Sequence, residues 1–180
     1  MKLLFASDIH GSEYYAKKLV DKYNELFCDK MILLGDVLYH GPRNDLPQGY
    51  NPKGVIALLN QMSDEILCVR GNCEAEVDQM VLDFSCMSDS LIMYDKNRMF
   101  FITHGHLFNT QNPPKLKCGD ILIHGHTHVQ TIEYFGENIY INPGSVAIPK
   151  EGNPPSFMVY DNGKFTIYDF DMNVLNEVNL

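Results

Sequence analysis

Asp8-Ile9-His10 sets a carboxylate and an imidazole two residues apart, and His126-Thr127-His128 sets two imidazoles at the same spacing. In extended backbone, residues two apart point to the same side, so each pair is expected to face one point. Gly35-Asp36 adds a carboxylate where glycine permits close backbone approach, Gly71-Asn72 adds an amide oxygen, and His104 adds another imidazole. Together Asp8, His10, Asp36, Asn72, His104, His126 and His128 offer too many donors for one tetrahedral ion. They suit two ions that share a bridging carboxylate, roughly 3.5–4 Å apart. Each piece alone has a plainer reading, since an Asp after a strand is commonly a turn or N-cap residue and a strand-end His is commonly structural. The recurrence of such pieces after successive strands is what points to one site.

The elements that must position them alternate at first. Lys2–Ala6 reads as a buried strand, Ser12–Phe27 as a helix with apolar residues near helical spacing, and Met31–Leu34 as a second strand. Pro52–Met62 reads as a second helix that starts on proline, and Ile66–Val69 as a third strand. This β-α-β-α-β order implies a parallel sheet with right-handed crossovers. Beyond Phe84 the apolar runs are short and turn-bounded, with Asn162-Gly163 a strong hairpin signal. Strands are expected at Leu91–Tyr94, Met99–Thr103, Ile121–His124, Thr131–Phe135, Ile139–Ile141, Ser156–Tyr160 and Phe165–Phe170. The predicted fold is α/β, a single-domain αββα sandwich over residues 1–180, in which two packed mixed sheets are flanked by helices. All seven histidines fall in or beside strand ends and none in a predicted helix, which is where sheet-based sites assemble. The irregular stretch from Tyr39 to Pro52 is long enough to suggest a functional loop.

Composition excludes some partners. The formal charge of −9 offers no basic patch for a nucleic-acid polymer, so a small anion drawn by a positively charged site is the better expectation. No stretch approaches the roughly 20 apolar residues of a membrane-spanning helix, so no membrane partner is expected. Cys28, Cys68, Cys73, Cys86 and Cys118 are odd in number and lack C-x₂-C spacing, which suggests reduced thiols in the cytoplasm. Apart from Cys73, they read as small buried apolar groups.

The ordered set Asp8-Ile9-His10, Gly35-Asp36, Gly71-Asn72-Cys73, His104-Gly105-His106 and Gly125-His126-Thr127-His128 resembles the calcineurin-like metallophosphoesterases. Within that superfamily the segments "MKLLFASDIHG", "LLGDVLYHGPRND", "VRGNCEAEVDQM", "THGHLF", "HGHTHV" and "INPGSVAIPK" look like the small prokaryotic YfcE-type phosphodiesterases. The resemblance implies that Asp8, His10 and His128 hold one metal, that Asn72, His104 and His126 hold the other, and that Asp36 bridges. It implies two divalent ions, foremost Mn²⁺, with Fe, Zn, Ni or Mg as variants, and a mixed imidazole and carboxylate set suits such ions better than a soft thiolate site would. The implied activity is hydrolysis of small phosphodiesters by a hydroxide between the ions, in line at phosphorus.

One residue departs from the wider superfamily. Where many members carry His after Gly-Asn, this chain has Cys73, a weak donor that is no cation at neutral pH. Feeble acid assistance favours good leaving groups. His106, His40 and Arg43 join Cys73 as candidates for catalytic or substrate contact, and Arg43 is suited to clamp a phosphate oxygen. Against this, His40 and Arg43 also read as loop residues bonded to backbone, and His106 and His124 as residues orienting a ligand. Arg70 is expected to pair with a carboxylate, and Asn142-Pro143-Gly144-Ser145 reads as a turn without assigned chemistry. The competing functions are a phosphomonoesterase or nucleotide phosphatase on the same site, and a protein-binding scaffold of the same fold. The expected partner is a small phosphate ester, with homo-oligomerisation left open.

Overall fold

Leu3 and Phe5 face one side of the first strand and Leu4 and Ala6 the other, and all four are buried, because this strand is covered on both faces. The structure, a computed structural model, describes residues 1–180. Its elements in order are β1 (Lys2–Ala6), α1 (Glu13–Glu25), β2 (Lys30–Leu33), α2 (Pro52–Asn60), β3 (Ile66–Cys68), α3 (Glu76–Gln79), β4 (Ser90–Asp95), β5 (Arg98–Thr103), β6 (Ile121–Ile123), β7 (Thr131–Phe135), β8 (Asn138–Asn142), β9 (Ser156–Asp161), β10 (Lys164–Asp169) and β11 (Val174–Asn179).

The expected two packed mixed sheets are present. One runs β11-β10-β9-β1-β2-β3 and the other β4-β5-β6-β8-β7. β1, β2 and β3 are parallel, as the alternating first half implies, while β9, β10 and β11 add antiparallel pairs. In the second sheet β5, β6 and β8 are mutually parallel. Between the sheets lies a core of Leu3, Phe5 and Ile32 from one side and Phe100, Ile102, Ile121, Ile123 and Ile141 from the other. Each such side chain contributes about 1.5–3 kcal/mol by leaving water.

A second core lies under the helices. α1 starts where the Ser12 hydroxyl accepts from the Tyr15 N–H, and it buries Ala16, Leu19 and Tyr23. Those residues and Val55 and Leu59 of α2 meet Leu4, Ala6, Met31 and Leu33 on the outer face of the six-stranded sheet. Every helix belongs to the first half, so the outer face of the other sheet carries chain without helix, as where Phe101 packs on Phe108. None of the helices is long and apolar enough to cross a membrane.

Two elements escape the hydrophobic pattern. β11 is largely polar, and it forms because its backbone completes the edge of β10 while Leu175 and Val178 touch the core. α3 is a single turn after the Gly-Asn-Cys stretch. The Asn162-Gly163 signal is realised as a turn with both residues at positive φ. All five cysteines are free thiols, but Cys118 is exposed, which corrects its reading as a buried apolar group.

Candidate metal centre

The seven predicted donors follow the C-terminal ends of five strands, three parallel in one sheet and two parallel in the other. Asp8 and His10 follow β1, Asp36 follows β2, Asn72 follows β3, His104 follows β5, and His126 and His128 follow β6. The mouth of a parallel sheet gathers residues distant in sequence. Its delivery differs from the expectation of extended backbone. Asp8, His10, Asp36, His126 and His128 all have positive φ, between 49° and 67°, so each pair converges through left-handed turns. Asp and His tolerate this region better than most residues, at about 1–2 kcal/mol each.

Glycines let the turns touch. A methyl group at Gly71 would overlap Asp36 Oδ1, and one at Gly125 would overlap Ser7 Oγ. These contacts bring the β2 turn against the β3 turn and the β6 turn against the β1 turn.

Three imidazoles are aimed by the same device. His10, His104 and His128 donate Nδ1–H to the carbonyls of Tyr39 (2.7 Å), Leu34 (2.6 Å) and Ile148 (2.6 Å). That turns each Nε2 inward, where loss of any proton it carries would free a lone pair for a metal. His10 Nε2 and His128 Nε2 stand 3.4 Å apart, and Asp8 Oδ1 lies 3.5 and 3.2 Å from them. On the other side His104 Nε2 is 3.1 Å from Asn72 Oδ1 and 3.2 Å from His126 Nδ1, so His126 presents its other nitrogen. Between the two groups Asp36 Oδ2 sits 3.6 Å from His10 Nε2 and 3.5 Å from His104 Nε2. Asp8, His10, Asp36, His104 and His128 are buried, while Asn72 is exposed.

Proton affinities follow from this crowding. Burial opposes ionisation of Asp8, but His10 and His128 outweigh it and hold the carboxyl well below its usual range. Burial likewise opposes charge on His104, yet Asp36 and Asp8 outweigh it and raise that imidazole to about 9. His126 is lowered, chiefly by burial and then by His104. The donor set fits divalent cations: Asp8 Oδ1 is buried without a hydrogen-bond partner, and the inward nitrogens of neighbouring imidazoles face each other at 3.4 Å. Imidazole, carboxylate and amide donors are those such ions accept.

Supporting residues went unread in the sequence. Glu74, buried, accepts from the backbone N–H groups of Asp36, Val37 and Gly71 and so ties two donor turns together. Ser7 Oγ donates to Asp8 Oδ2 (2.6 Å), and the N–H of His126 donates to that same oxygen (3.0 Å). Asn142 Nδ2 reaches Gly125 O and Thr127 Oγ1, and Ser145 Oγ donates to Asp8 O (2.9 Å), so the Asn-Pro-Gly-Ser turn is a brace beneath the site. The local signals were slight, a Ser before the Asp and a Glu after Gly-Asn-Cys.

The four candidates for substrate contact separate. Cys73 and Arg43 line a cavity of about 320 Å³ that opens on His10, Asp36 and His128, together with Asn44 and the unforeseen Lys150. His40 and His106 do not line it. His40 packs between Tyr39 and Tyr50, its Nδ1 3.4 Å from the Tyr50 hydroxyl. His106 lies beside His104, ring centroids 5.4 Å apart, and its pKa is lowered, first by burial and then by that neighbour. The Cys73 thiol is pushed up by burial and then by Asp36, and it remains neutral at pH 7. Arg70 forms no ion pair, and its Nε is buried without a partner, contrary to expectation, because no carboxylate comes within reach.

Residues 1–164 match the sequence profile of the Calcineurin-like phosphoesterase superfamily domain. The chain is 45% identical to Phosphodiesterase YfcE of Escherichia coli K12 over 168 residues, 93% of this chain and 91% of that protein. The solved structure of the E. coli phosphoesterase YfcE superposes with a TM-score of 0.97 at 42% identity, covering 99% of both chains. Wild-type Vps29 of Entamoeba histolytica, solved with Zn²⁺, shares the fold with a TM-score of 0.60 at 20% identity over 99% of both chains.

Proposed function

The chain belongs to the calcineurin-like phosphoesterase superfamily, and from that footing we propose that it is a metal-dependent phosphodiesterase whose Asp36 joins two divalent ions. Asp8, His10 and His128 would hold one ion and Asn72, His104 and His126 the other, with Mn²⁺ the favoured metal. The kinship to YfcE, a phosphodiesterase, supports hydrolysis of phosphodiesters. The observation that carries the two-ion reading is the place of Asp36 Oδ2, about equally far from His10 Nε2 and His104 Nε2. When bound, such ions make water a nucleophile near neutral pH and stabilise charge on the phosphoryl oxygens.

The chain's own residues supply orientation. Backbone carbonyls of Tyr39, Leu34 and Ile148 take the outer protons of three imidazoles and keep their inner nitrogens free for metal. Glu74 holds the Asp36 and Gly71 turns at fixed separation, and the Cys73 N–H donates to Asp36 Oδ1 at 2.9 Å, leaving Oδ2 to face the centre. A neutral thiol at Cys73 gives little help to a departing alkoxide, so esters with stable leaving groups should turn over best.

The same centre serves a monoester as readily in principle, so the test compares the two. The Mn²⁺-loaded protein should hydrolyse bis(4-nitrophenyl) phosphate faster than 4-nitrophenyl phosphate, and chelation should abolish both. Asp36→Asn should lower bound metal and cut kcat about 10²- to 10³-fold while the fold persists, the range for removing one group that stabilises the reacting charge. Tight metal binding without hydrolysis of either ester would leave the scaffold reading in its place, and a fully active Asp36→Asn protein would remove Asp36 from the bridge.

A further inference from the structure

Two cations beside the centre are unused by the two-ion assignment. Arg43 and Lys150 line the same cavity, and neither makes an ion pair with a carboxylate of the protein. Lys150 is anchored beside His128, since its N–H donates to the His128 carbonyl at 3.1 Å and its own carbonyl accepts from Asn153. Arg43 rides on a tight turn in which Asn44 donates to the carbonyls of Gly41 and His40. Gly41 in turn lies against Cys73, a methyl group there standing 3.5 Å from Sγ. No Leu, Ile, Val, Phe, Tyr or Trp lines the cavity, so it offers charge and hydrogen bonds rather than an apolar surface for a ring.

Two divalent ions with the carboxylates of Asp8 and Asp36 already exceed the single negative charge of a phosphodiester. Two further cations imply a second anion. The place of Cys73 points the same way, because a thiol on the cavity wall is a weak donor and suits a leaving group that departs without a proton. A phosphate monoester, whose second pKa is about 6, is such a group.

We infer that Arg43 and Lys150 form a subsite for a second phosphate, so that the substrates this site fits best are diesters of diphosphate. This rests on the two-ion phosphodiesterase reading and adds the substrate class to it. In the reaction the oxygen of water bonds to one phosphorus and the bridging P–O bond breaks. The bridging oxygen leaves with the other phosphorus, and the two protons of water are divided between two phosphomonoester products. Arg43 and Lys150 would receive the charge on the departing phosphate, Arg43 by a paired donor fork and Lys150 as a point charge.

UDP-glucose, with two adjacent anionic phosphates, and bis(4-nitrophenyl) phosphate, with one, are the probes for the Mn²⁺-loaded protein. Lys150→Gln and Arg43→Gln should each lower kcat/KM for UDP-glucose about 10- to 100-fold, the range for removing one charge-assisted hydrogen bond. The loss on the bis-aryl ester should be at least ~10-fold smaller, since that ester presents no second anion. By calorimetry, the α,β-methylene analogue of UDP-glucose should bind each variant at least ~10-fold more weakly than the unaltered protein. Equal losses on both substrates, equal binding of the analogue, or failure to hydrolyse UDP-glucose by an enzyme that turns over the bis-aryl ester would each overturn the subsite. Absence of bis-aryl hydrolysis would instead overturn the phosphodiesterase reading beneath it.

Discussion

Cys73 donates its backbone N–H to Asp36 while its thiol borders the cavity, so the residue is structural through its main chain and open to replacement through its side chain. Cys73→His should therefore preserve the turn and add a group able to protonate. Its expected effect is differential: turnover of an alkyl phosphodiester should rise by about 10²-fold, the lower range for general acid catalysis, while an aryl diester gains little. Stopped assays with matched alkyl and aryl esters measure this, and equal gains on both would place Cys73 away from the leaving oxygen. His106, two residues beyond a predicted ligand, does not line that cavity.

At the scale of elements, the centre depends on how closely the turns after β2 and β3 approach. Gly71 touches Asp36, and Glu74 binds both turns through three backbone N–H groups. In Gly71→Ala the new methyl must displace the Asp36 carboxylate, whose space it would enter. Overpacking of that kind costs about 1–3 kcal/mol. Metal affinity should also fall about 10- to 100-fold, as when the support of a ligand is lost. Thermal melts and calorimetric metal titration would show both, and a Gly71→Ala protein that binds Mn²⁺ normally would mean that the two turns move independently. Strands β1, β2, β6 and β9 were readable from apolar runs, because burial on both faces leaves such a run. β11 was not, since an edge strand of Val, Leu, Asn and Glu draws its pairing from the β10 backbone rather than from its own pattern.

For the whole molecule, the core beneath the helices sets an alkaline limit. It contains Cys28, Cys68 and Cys86; burial pushes the first and last up to about 11 from an ordinary value near 9 and holds Cys68 well above that value. Folded-state values above the unfolded ones mean that this stability is fully present below pH 9 and is lost as pH rises through about 11, with about 3 kcal/mol for each thiol an upper bound that solvent screening lowers. Cys86→Ala should flatten only its own share of a decline that Cys28 and Cys68 also carry, roughly a third, read from denaturant unfolding at pH 8, 9.5 and 11. An unchanged pH profile would show that Cys86 keeps its proton out of the linkage. The donors were legible because carboxylate, imidazole and amide types state their chemistry directly, and their strand-end positions followed from the apolar runs. Lys150, Glu74 and Ser145 were not, for a lone Lys, Glu or Ser acquires its role only when distant turns meet. Nor was the left-handed backbone of five donors visible, since Asp and His occupy that region and others alike. That backbone has a consequence for descent. Holding five residues there costs on the order of 5 kcal/mol, near the lower bound of a domain's whole stability. Replacing any of them with Gly relaxes the chain, so a lineage released from selection for hydrolysis drifts downhill away from it. Regaining the site means restoring strain and chemistry together, which makes the loss of activity in this fold far easier than its return.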